Sequence, residues 1–199
     1  MADVREPKQA RAIEKKKVIV HAACALYGER GYHQTTTAEI AKAAGVSTGL
    51  VYSYFRDKKD ILLAVVDRYL EDLSSALQPV FMDDAMQGQS LRRVVENCFD
   101  VLLLSHRMQP AAHDEFLALA LRDGVVRAKF DDFEEAMLSK LLNLKIDLHI
   151  TPMQLQLAYG VIEQGCHACL RADDETVQMV KKWTVDGVEA ILGIAVEQK

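Results

Sequence analysis

Apolar residues recur at helical spacing along most of this chain. Ile19, Ala22, Ala23 and Leu26 fall on one helix face, and the segment 61–73 keeps the same period over several turns. No stretch of convincing length alternates apolar and polar residues with the period of a β-strand. The pattern therefore predicts an all-α protein.

The prolines lie near the edges of these helical runs, as expected of a residue that disrupts helix interiors. The spacing predicts about nine helices, over 9–29, 37–43, 48–54, 58–77, 89–107, 110–121, 124–143, 152–170 and 174–196. The segment Met82–Ser90 contains charge, Gly88 and a candidate helix cap at Ser90, so we expect a mobile loop there.

Composition indicates the broad class of protein to which the chain belongs. Half of the residues are hydrophobic and 27% are charged, which is typical of soluble globular chains. The longest apolar runs fall far short of the ~18 residues that a membrane span needs. The first residues lack the apolar stretch of a secretory signal. We therefore expect a cytoplasmic protein with no membrane contact and with reduced cysteines.

Charge is distributed unevenly along the chain. Residues 1–60 contain 11 Lys and Arg against 7 Asp and Glu, whereas the remaining residues contain 13 against 22. A positive segment attached to an acidic body suggests that the N-terminal part faces a polyanion.

The segment Thr36–Phe55 carries the strongest functional signal. Thr36 and Glu39 have the spacing of a capping box, which predicts a short helix from Thr37. Gly45 can supply the left-handed conformation of a tight turn, and Ser47 can cap a second helix.

The second helix has two distinct sides. Val51 and Phe55 lie on one side, and the opposite side presents Thr48, Gly49, Tyr52 and Ser53. Two short helices joined by a glycine-containing turn form a helix-turn-helix, whose second helix can enter the major groove of DNA. Tyrosine hydroxyls, and lysines at the start of the next helix, suit phosphate contact.

This segment resembles the DNA-binding domain of the TetR (tetracycline repressor) family. The resemblance rests on Gly31-Tyr32, Thr35-Thr36, Ile40-Ala41, Ala44–Gly49, Tyr52–Phe55 and Lys58, and covers about residues 11–65. It implies a one-component repressor that binds a palindromic operator as a homodimer and is released by a small-molecule effector. It also implies a helix-turn-helix DNA-binding domain of three helices over 1–57 and a larger helical domain for ligand binding and dimerisation over 58–199.

The resemblance also assigns roles to residues of the motif. It implies that DNA meets the start of the first motif helix, that the start of the second reaches bases, and that later residues contact phosphates. The expected DNA-binding residues are Thr36, Thr37, Ala38, Thr48, Gly49, Leu50, Tyr52, Ser53, Tyr54 and Lys58.

Two of these residues have apolar side chains, which cannot recognise a base through a hydrogen bond. Ala38 cannot form a hydrogen bond with a base through its side chain. Leu50 either packs partly against the neighbouring helix or contacts a thymine methyl group. We therefore expect phosphate contacts and DNA shape to supply much of the affinity.

The middle helices contain candidates for an effector site. Aromatic, methionine and histidine residues at helical spacing suggest a mostly apolar or aromatic ligand, although the same residues are ordinary core material. The candidate ligand-binding residues are Phe99, Leu103, His106, His113, Phe116, Phe133, Met137 and Tyr159.

The last two predicted helices, 152–170 and 174–196, match the pair that forms the dimer interface in the TetR family. Their apolar residues suit such an interface, but a single-chain core would use the same ones. These residues are Val161, Ile162, Val177, Val180, Trp183, Val188, Ile191 and Ile194.

Cys166 and Cys169 have only half of a zinc-site spacing, because no second cysteine pair follows. We interpret them as small residues that, with Gly160, Gly165 and Ala168, let helices approach, and we expect neither a metal nor a cofactor. A redox sensor acting through Cys98, Cys166 or Cys169 is the main alternative function. An all-helical enzyme is less favoured, since no phosphate loop, nucleophile elbow or zinc-protease motif occurs.

Overall fold

The computed structural model describes residues 6–81, 90–108, 110–142 and 150–193. Within these residues the chain forms nine α-helices and no strand, which confirms the all-α prediction. The helices are α1 (Glu6–Arg30), α2 (Thr37–Ala43), α3 (Thr48–Tyr54), α4 (Lys58–Leu77), α5 (Leu91–Met108), α6 (Pro110–Ala120), α7 (Gly124–Leu142), α8 (Pro152–Cys169) and α9 (Asp174–Ile191). A short 3-10 helix (Gln78–Phe81) follows α4.

Helix ends lie where the sequence predicts them when the capping residues are close together in the chain. Helices α8 and α9 begin at the predicted residues. Thr151 forms a capping box with Gln154 at the start of α8, and the Asp173 carboxylate accepts from Thr176 N–H at the start of α9. Helix α9 ends before the predicted residue 196, since Gly193 takes a left-handed φ of 72°. Of the expected loop Met82–Ser90, residues 82–89 lie outside the described residues.

The chain divides into two compact units that do not coincide with the predicted boundary at 57/58. The first contains residues 1–70 and 111–129, and the second contains 71–110 and 130–199. The predicted functional division into 1–57 and 58–199 therefore stays a prediction.

The core of the first unit joins the inner faces of α1 to α4 and of α6. Ile19 and Tyr27 of α1, Ile40 of α2 and Val51 of α3 have no solvent exposure. Phe116 of α6 is likewise fully buried. Burial of these side chains positions α2 and α3, because each short helix contributes only one or two inward residues and depends on the larger helices beneath it.

The second unit has a core built by α5, α8 and α9. Phe99 and Leu102 of α5 pack in one cluster with Cys166 and Cys169 of α8 and Val185 of α9. Gly165 allows this close packing, because a methyl group there would overlap the Thr184 hydroxyl and lie 3.1 Å from the Phe99 ring. The predicted close approach thus holds at Gly165, whereas Gly160 and Ala168 are exposed. None of the described helices has an apolar stretch with the length and hydropathy that a membrane span requires.

Candidate nucleic-acid interface and apolar cavity

The N-terminus of α2 is fixed by the capping box that the sequence predicts. The Glu39 amide donates to Thr36 Oγ1 over 3.2 Å, and the Thr36 amide donates back to Glu39 Oε2 over 2.8 Å. Hydrogen bonds from the Thr36 side chain and backbone lower the pKa of Glu39, and Arg30 adds an ion pair at 3.0 Å. Glu39 therefore stays ionised at neutral pH and keeps the start of α2 in place.

The turn between α2 and α3 depends on Gly45. Its φ of 64° is left-handed, and the next amide, of Val46, donates to Ala41 O over 3.0 Å. This closes the C-terminus of α2 in the manner expected of a glycine after a helix. Ser47 then caps α3, since its hydroxyl oxygen accepts from Leu50 N–H at 3.2 Å.

Helix α3 has one buried side and one exposed side. Val51 is fully buried and Phe55 is 4% exposed, so they attach the helix to the unit. Thr48, Gly49 and Ser53 are exposed, and Tyr52 keeps 54% of its surface open. Apart from its chain neighbours and its own helix backbone, no atom of the described residues lies within 4 Å of the position that a Cβ at Gly49 would occupy. A partner molecule can therefore approach the α3 backbone closely at Gly49.

The remaining predicted DNA-binding residues surround this exposed side. Thr36 and Ala38 are exposed, whereas Thr37, Leu50, Tyr54 and Lys58 are half-buried. None of the ten is buried, so each retains surface for a partner. The half-burial of Leu50 is compatible with both interpretations of this residue, packing and base contact.

Lys58 has an internal role that sequence reasoning did not anticipate. Its ammonium donates to the carbonyl oxygens of Tyr32 and Thr35, each over 3.0 Å, and to that of His33 over 3.3 Å. It also lies 4.4 Å from the centroid of the Tyr32 ring. Lys58 therefore joins the start of α4 to the turn that precedes α2.

A separate apolar cavity lies inside the second unit. Its volume is about 70 Å³. Its wall contains no charged side chain, and the Tyr159 hydroxyl in that wall donates to Glu163 Oε1 over 2.9 Å. The lining residues are Leu77, Phe81, Leu91, Val94, Val95, Cys98, Leu102, Met137, Ile150, Leu155, Ala158, Tyr159, Ile162, Val188 and Leu192.

Comparison with known proteins identifies the helix-turn-helix segment. Residues 19–65 match the family model described as "Bacterial regulatory proteins, tetR family". The helix-turn-helix segment is therefore similar to that of TetR-family regulators. It is 40% identical over 79 residues to the HTH-type transcriptional regulator HbdR of Aromatoleum sp. strain CIB, a segment that covers 38% of this chain and 34% of that protein. It is 31% identical over 90 residues to the fatty acid metabolism regulator protein of Bacillus subtilis strain 168, covering 45% and 46% respectively.

The chain thus spans less than half the length of these two curated relatives that it matches. The fold is shared over a larger part. GusR of Salmonella enterica superposes with a TM-score of 0.72 at 16% identity, over 96% of this chain and all of that one. The shared fold therefore covers residues of both units, whereas the family-model match lies in the first.

The cavity of the second unit includes few of the predicted ligand-binding residues. Of the eight, Met137 and Tyr159 line it. Phe99 and Leu103 lie in the adjoining core cluster, and Phe133 packs against that cluster. His106 is a buried residue of the second unit, whereas His113 and Phe116 belong to the first, where both contact Tyr69. Helical spacing identified inward-facing residues but not those that border empty space.

Sequence reasoning also missed residues that support the helix-turn-helix from beneath. Thr35 is fully buried and donates through its hydroxyl to Gly31 O over 2.8 Å. Glu115 of α6 accepts from Tyr32 N–H at 2.6 Å, across 83 positions of sequence. A long-range contact of this kind leaves no local signal in the sequence.

Proposed function

We propose that the protein is a transcriptional repressor that binds a palindromic operator as a homodimer and is released by a small apolar or aromatic effector. The observation that carries the proposal is α3 itself, a capped helix anchored by Val51 and Phe55 whose other side is exposed. A helix with small residues at its exposed start suits insertion into the major groove. The match of residues 19–65 to the tetR family model supports the same function.

In this proposal the first unit contacts DNA through three groups of residues. Thr36, Thr37 and Ala38 contact the DNA backbone at the start of α2. Thr48, Gly49 and Leu50 approach base edges. Residues later in α3 and at the start of α4 contact phosphates. The phosphate-contacting residues are Tyr52, Ser53, Tyr54 and Lys58. Thr48 is the main residue whose side chain can form a hydrogen bond with a base. Direct readout of the operator sequence therefore involves few base pairs.

Substitution of Gly49 tests this arrangement sharply. Because a Cβ at Gly49 would meet no other element among the described residues, we expect Gly49→Ala to leave the free protein folded. The probe is a duplex that the wild-type protein selects from a random-sequence pool. We expect Gly49→Ala to weaken binding by about 10-fold or more through collision with DNA, equivalent to about 1.4 kcal/mol.

Gly124→Ala is the matched control, since a Cβ there also meets no atom within 4 Å. It should leave affinity unchanged. Full affinity of Gly49→Ala, or an equal loss in both variants, would contradict close approach of α3 to DNA.

The effector is proposed to enter the apolar cavity. An uncharged ligand suits this cavity, because burial of a charge without a partner is costly. We expect the uncharged fluorescent probe phenylnaphthylamine to bind the wild-type protein and to lower its affinity for the selected duplex. Ala158→Leu should reduce probe binding by filling the cavity, since Ala158 is part of the wall. Equal affinity of the probe for free and DNA-bound protein would refute release by this route.

Dimerisation is proposed through α8 and α9. Large apolar side chains on these helices remain exposed, namely Met153, Leu157, Met179 and Trp183. Of the residues named from sequence, Ile162, Val177 and Val188 are buried within the chain, and Ile194 lies outside the described residues. Trp183→Glu should give a monomer in sedimentation at micromolar concentration. Leu104→Glu, at an exposed leucine of α5, should leave the dimer intact.

Burial of the thiols argues against the redox alternative. Burial raises the pKa of Cys98 to about 12 and also raises the pKa of Cys166 and of Cys169. Thiolates, not thiols, react with peroxide. Operator binding should therefore persist after peroxide treatment, and its loss would favour the redox function instead.

A further inference from the structure

Two histidines and one glutamate meet between α5 and α8 in the second unit. His106 of α5 is 1% exposed, and Glu163 and His167 lie one turn apart on α8. The proposed DNA and effector contacts do not use the polar atoms of these three side chains. Histidine and carboxylate together form a common ligand set for divalent transition metals.

The spacing of the candidate ligand atoms fits one ion. Glu163 Oε2 lies 3.2 Å from His106 Nε2 and 3.6 Å from His167 Nε2. A ring nitrogen of His106 lies within 4.8 Å of one of His167. In a tetrahedral site with bonds of about 2.0–2.1 Å, neighbouring ligand atoms are about 3.3 Å apart. The two distances from the carboxylate bracket this value, so small side-chain rotations would complete the geometry.

Hydrogen bonds around the cluster orient the first two of these side chains. His106 Nδ1 lies 2.6 Å from Leu102 O, and a carbonyl can only accept, so Nδ1 carries a proton. Nε2 is then the ring atom that faces Glu163 Oε2, over 3.2 Å, and a bound metal ion would replace the Nε2 proton that bridges this pair. The Tyr159 hydroxyl donates to Glu163 Oε1, which leaves Oε2 directed at the histidines. Metal-binding histidines and carboxylates typically have such outer partners.

The Glu163 carboxylate is largely enclosed by the cluster. Its side chain is 15% exposed, and its oxygens lie 3.2 Å from His106 Nε2 and 2.9 Å from the Tyr159 hydroxyl. A buried anion beside two imidazoles suits a divalent cation. The His167 side chain is 26% exposed and offers a path for the ion to enter.

We propose that His106, Glu163 and His167 bind one divalent transition-metal ion of the zinc class, with a fourth coordination position left for water or another ligand. The site is distinct from the effector cavity, but Leu102 and Tyr159 take part in both. Bound metal would therefore fix part of the cavity wall. The proposal does not depend on DNA binding.

Titration of the metal-stripped, untagged full chain with zinc chloride, followed by calorimetry, tests the site. We expect one zinc ion per chain and a higher melting temperature. Cobalt chloride should give the visible absorption of tetrahedral cobalt without a thiolate charge-transfer band. Glu163→Gln and His167→Gln should each weaken zinc binding by about 10-fold or more. His21→Gln, at an exposed histidine of α1, should leave binding unchanged.

Substitution of His106 is not used, because its side chain is 1% exposed and the variant could fail to fold. Glu163 and His167 are less buried, so their variants keep the test decisive. Circular dichroism would establish that both variants keep their helices. The proposal is overturned if no saturable zinc binding occurs, if both variants bind as tightly as wild type, or if a thiolate band shows that cysteines hold the ion.

Discussion

The Lys58 ammonium lies 3.0 Å from the Tyr32 carbonyl oxygen and 4.4 Å from the centroid of the same residue's ring. One side chain thus satisfies the backbone and the aromatic face of a residue 26 positions earlier. Sequence similarity assigns Lys58 to phosphate contact, whereas its contacts within the chain assign it to support of the helix-turn-helix. The two roles predict different responses to substitution.

Lys58→Met should lower the free energy of unfolding by about 1–2 kcal/mol, because several carbonyl groups lose a charged donor. If the ammonium also contacts a phosphate, the slope of log Kd against log salt concentration should fall by about 1. Urea unfolding and binding to the selected duplex at several salt concentrations measure the two effects. Lys42→Met, at an exposed lysine of α2, is the control for stability and should change it by less than about 0.5 kcal/mol. A normal salt slope in Lys58→Met would remove Lys58 from the proposed DNA-binding residues.

Tyr27→Phe should leave stability unchanged or raise it by up to about 1 kcal/mol. The Tyr27 hydroxyl is buried and, among the described residues, has no hydrogen-bond partner. Burial, and secondarily Tyr32, raise its pKa. Removal of an unsatisfied polar group removes its desolvation cost. Guanidinium unfolding measures the change, with Tyr52→Phe, at an exposed tyrosine, as the control. A loss above about 1 kcal/mol would mean that the hydroxyl has a partner such as water.

The local parts of the helix-turn-helix were predictable from sequence. The capping box at Thr36, the turn at Gly45 and the cap at Ser47 involve residues within a few positions of one another, so their spacing carries the information. The bounds of α2, α3 and α4 follow the predicted ranges for this reason.

The tertiary parts were not predictable in the same way. Tyr32 contacts Glu115, and His106 contacts Glu163, across long intervals of sequence with no shared motif. Helical periodicity indicates which side chains point inward, but a cavity depends on how well they fill the interior. Phe99 and Met137 show the same pattern, yet only Met137 borders the cavity.

Arg56→Gln should raise the pKa of Asp60, which is held at about 2. The cause is mainly the hydrogen bond from the Arg56 side chain, whose Nε lies 2.7 Å from Asp60 Oδ2. Because the folded pKa lies below the ordinary value of 3.8, the pair stabilises the fold above that pH. This stabilisation is lost as pH falls toward 2.

Carbon-detected NMR titration should show the Asp60 midpoint moving toward 3.8 in Arg56→Gln. Asp173, whose pKa is lowered by Thr176 instead, serves as the internal control and should not move. An unchanged Asp60 midpoint would mean that Arg56 does not hold this carboxylate in solution.

Gly165→Ala should destabilise the second unit although alanine favours helices. A methyl group at this position overlaps the Thr184 hydroxyl, and overpacking costs about 1–3 kcal/mol against a gain of about 1 kcal/mol in helix propensity. We expect a net loss of up to about 2 kcal/mol in urea unfolding. Thr184→Ala added to Gly165→Ala should recover part of that loss, because the overlapping hydroxyl is removed. Recovery cannot be complete, since the Phe99 ring lies 3.1 Å from the same methyl position. Strict additivity of the two substitutions would show that α8 and α9 do not meet at this pair of residues.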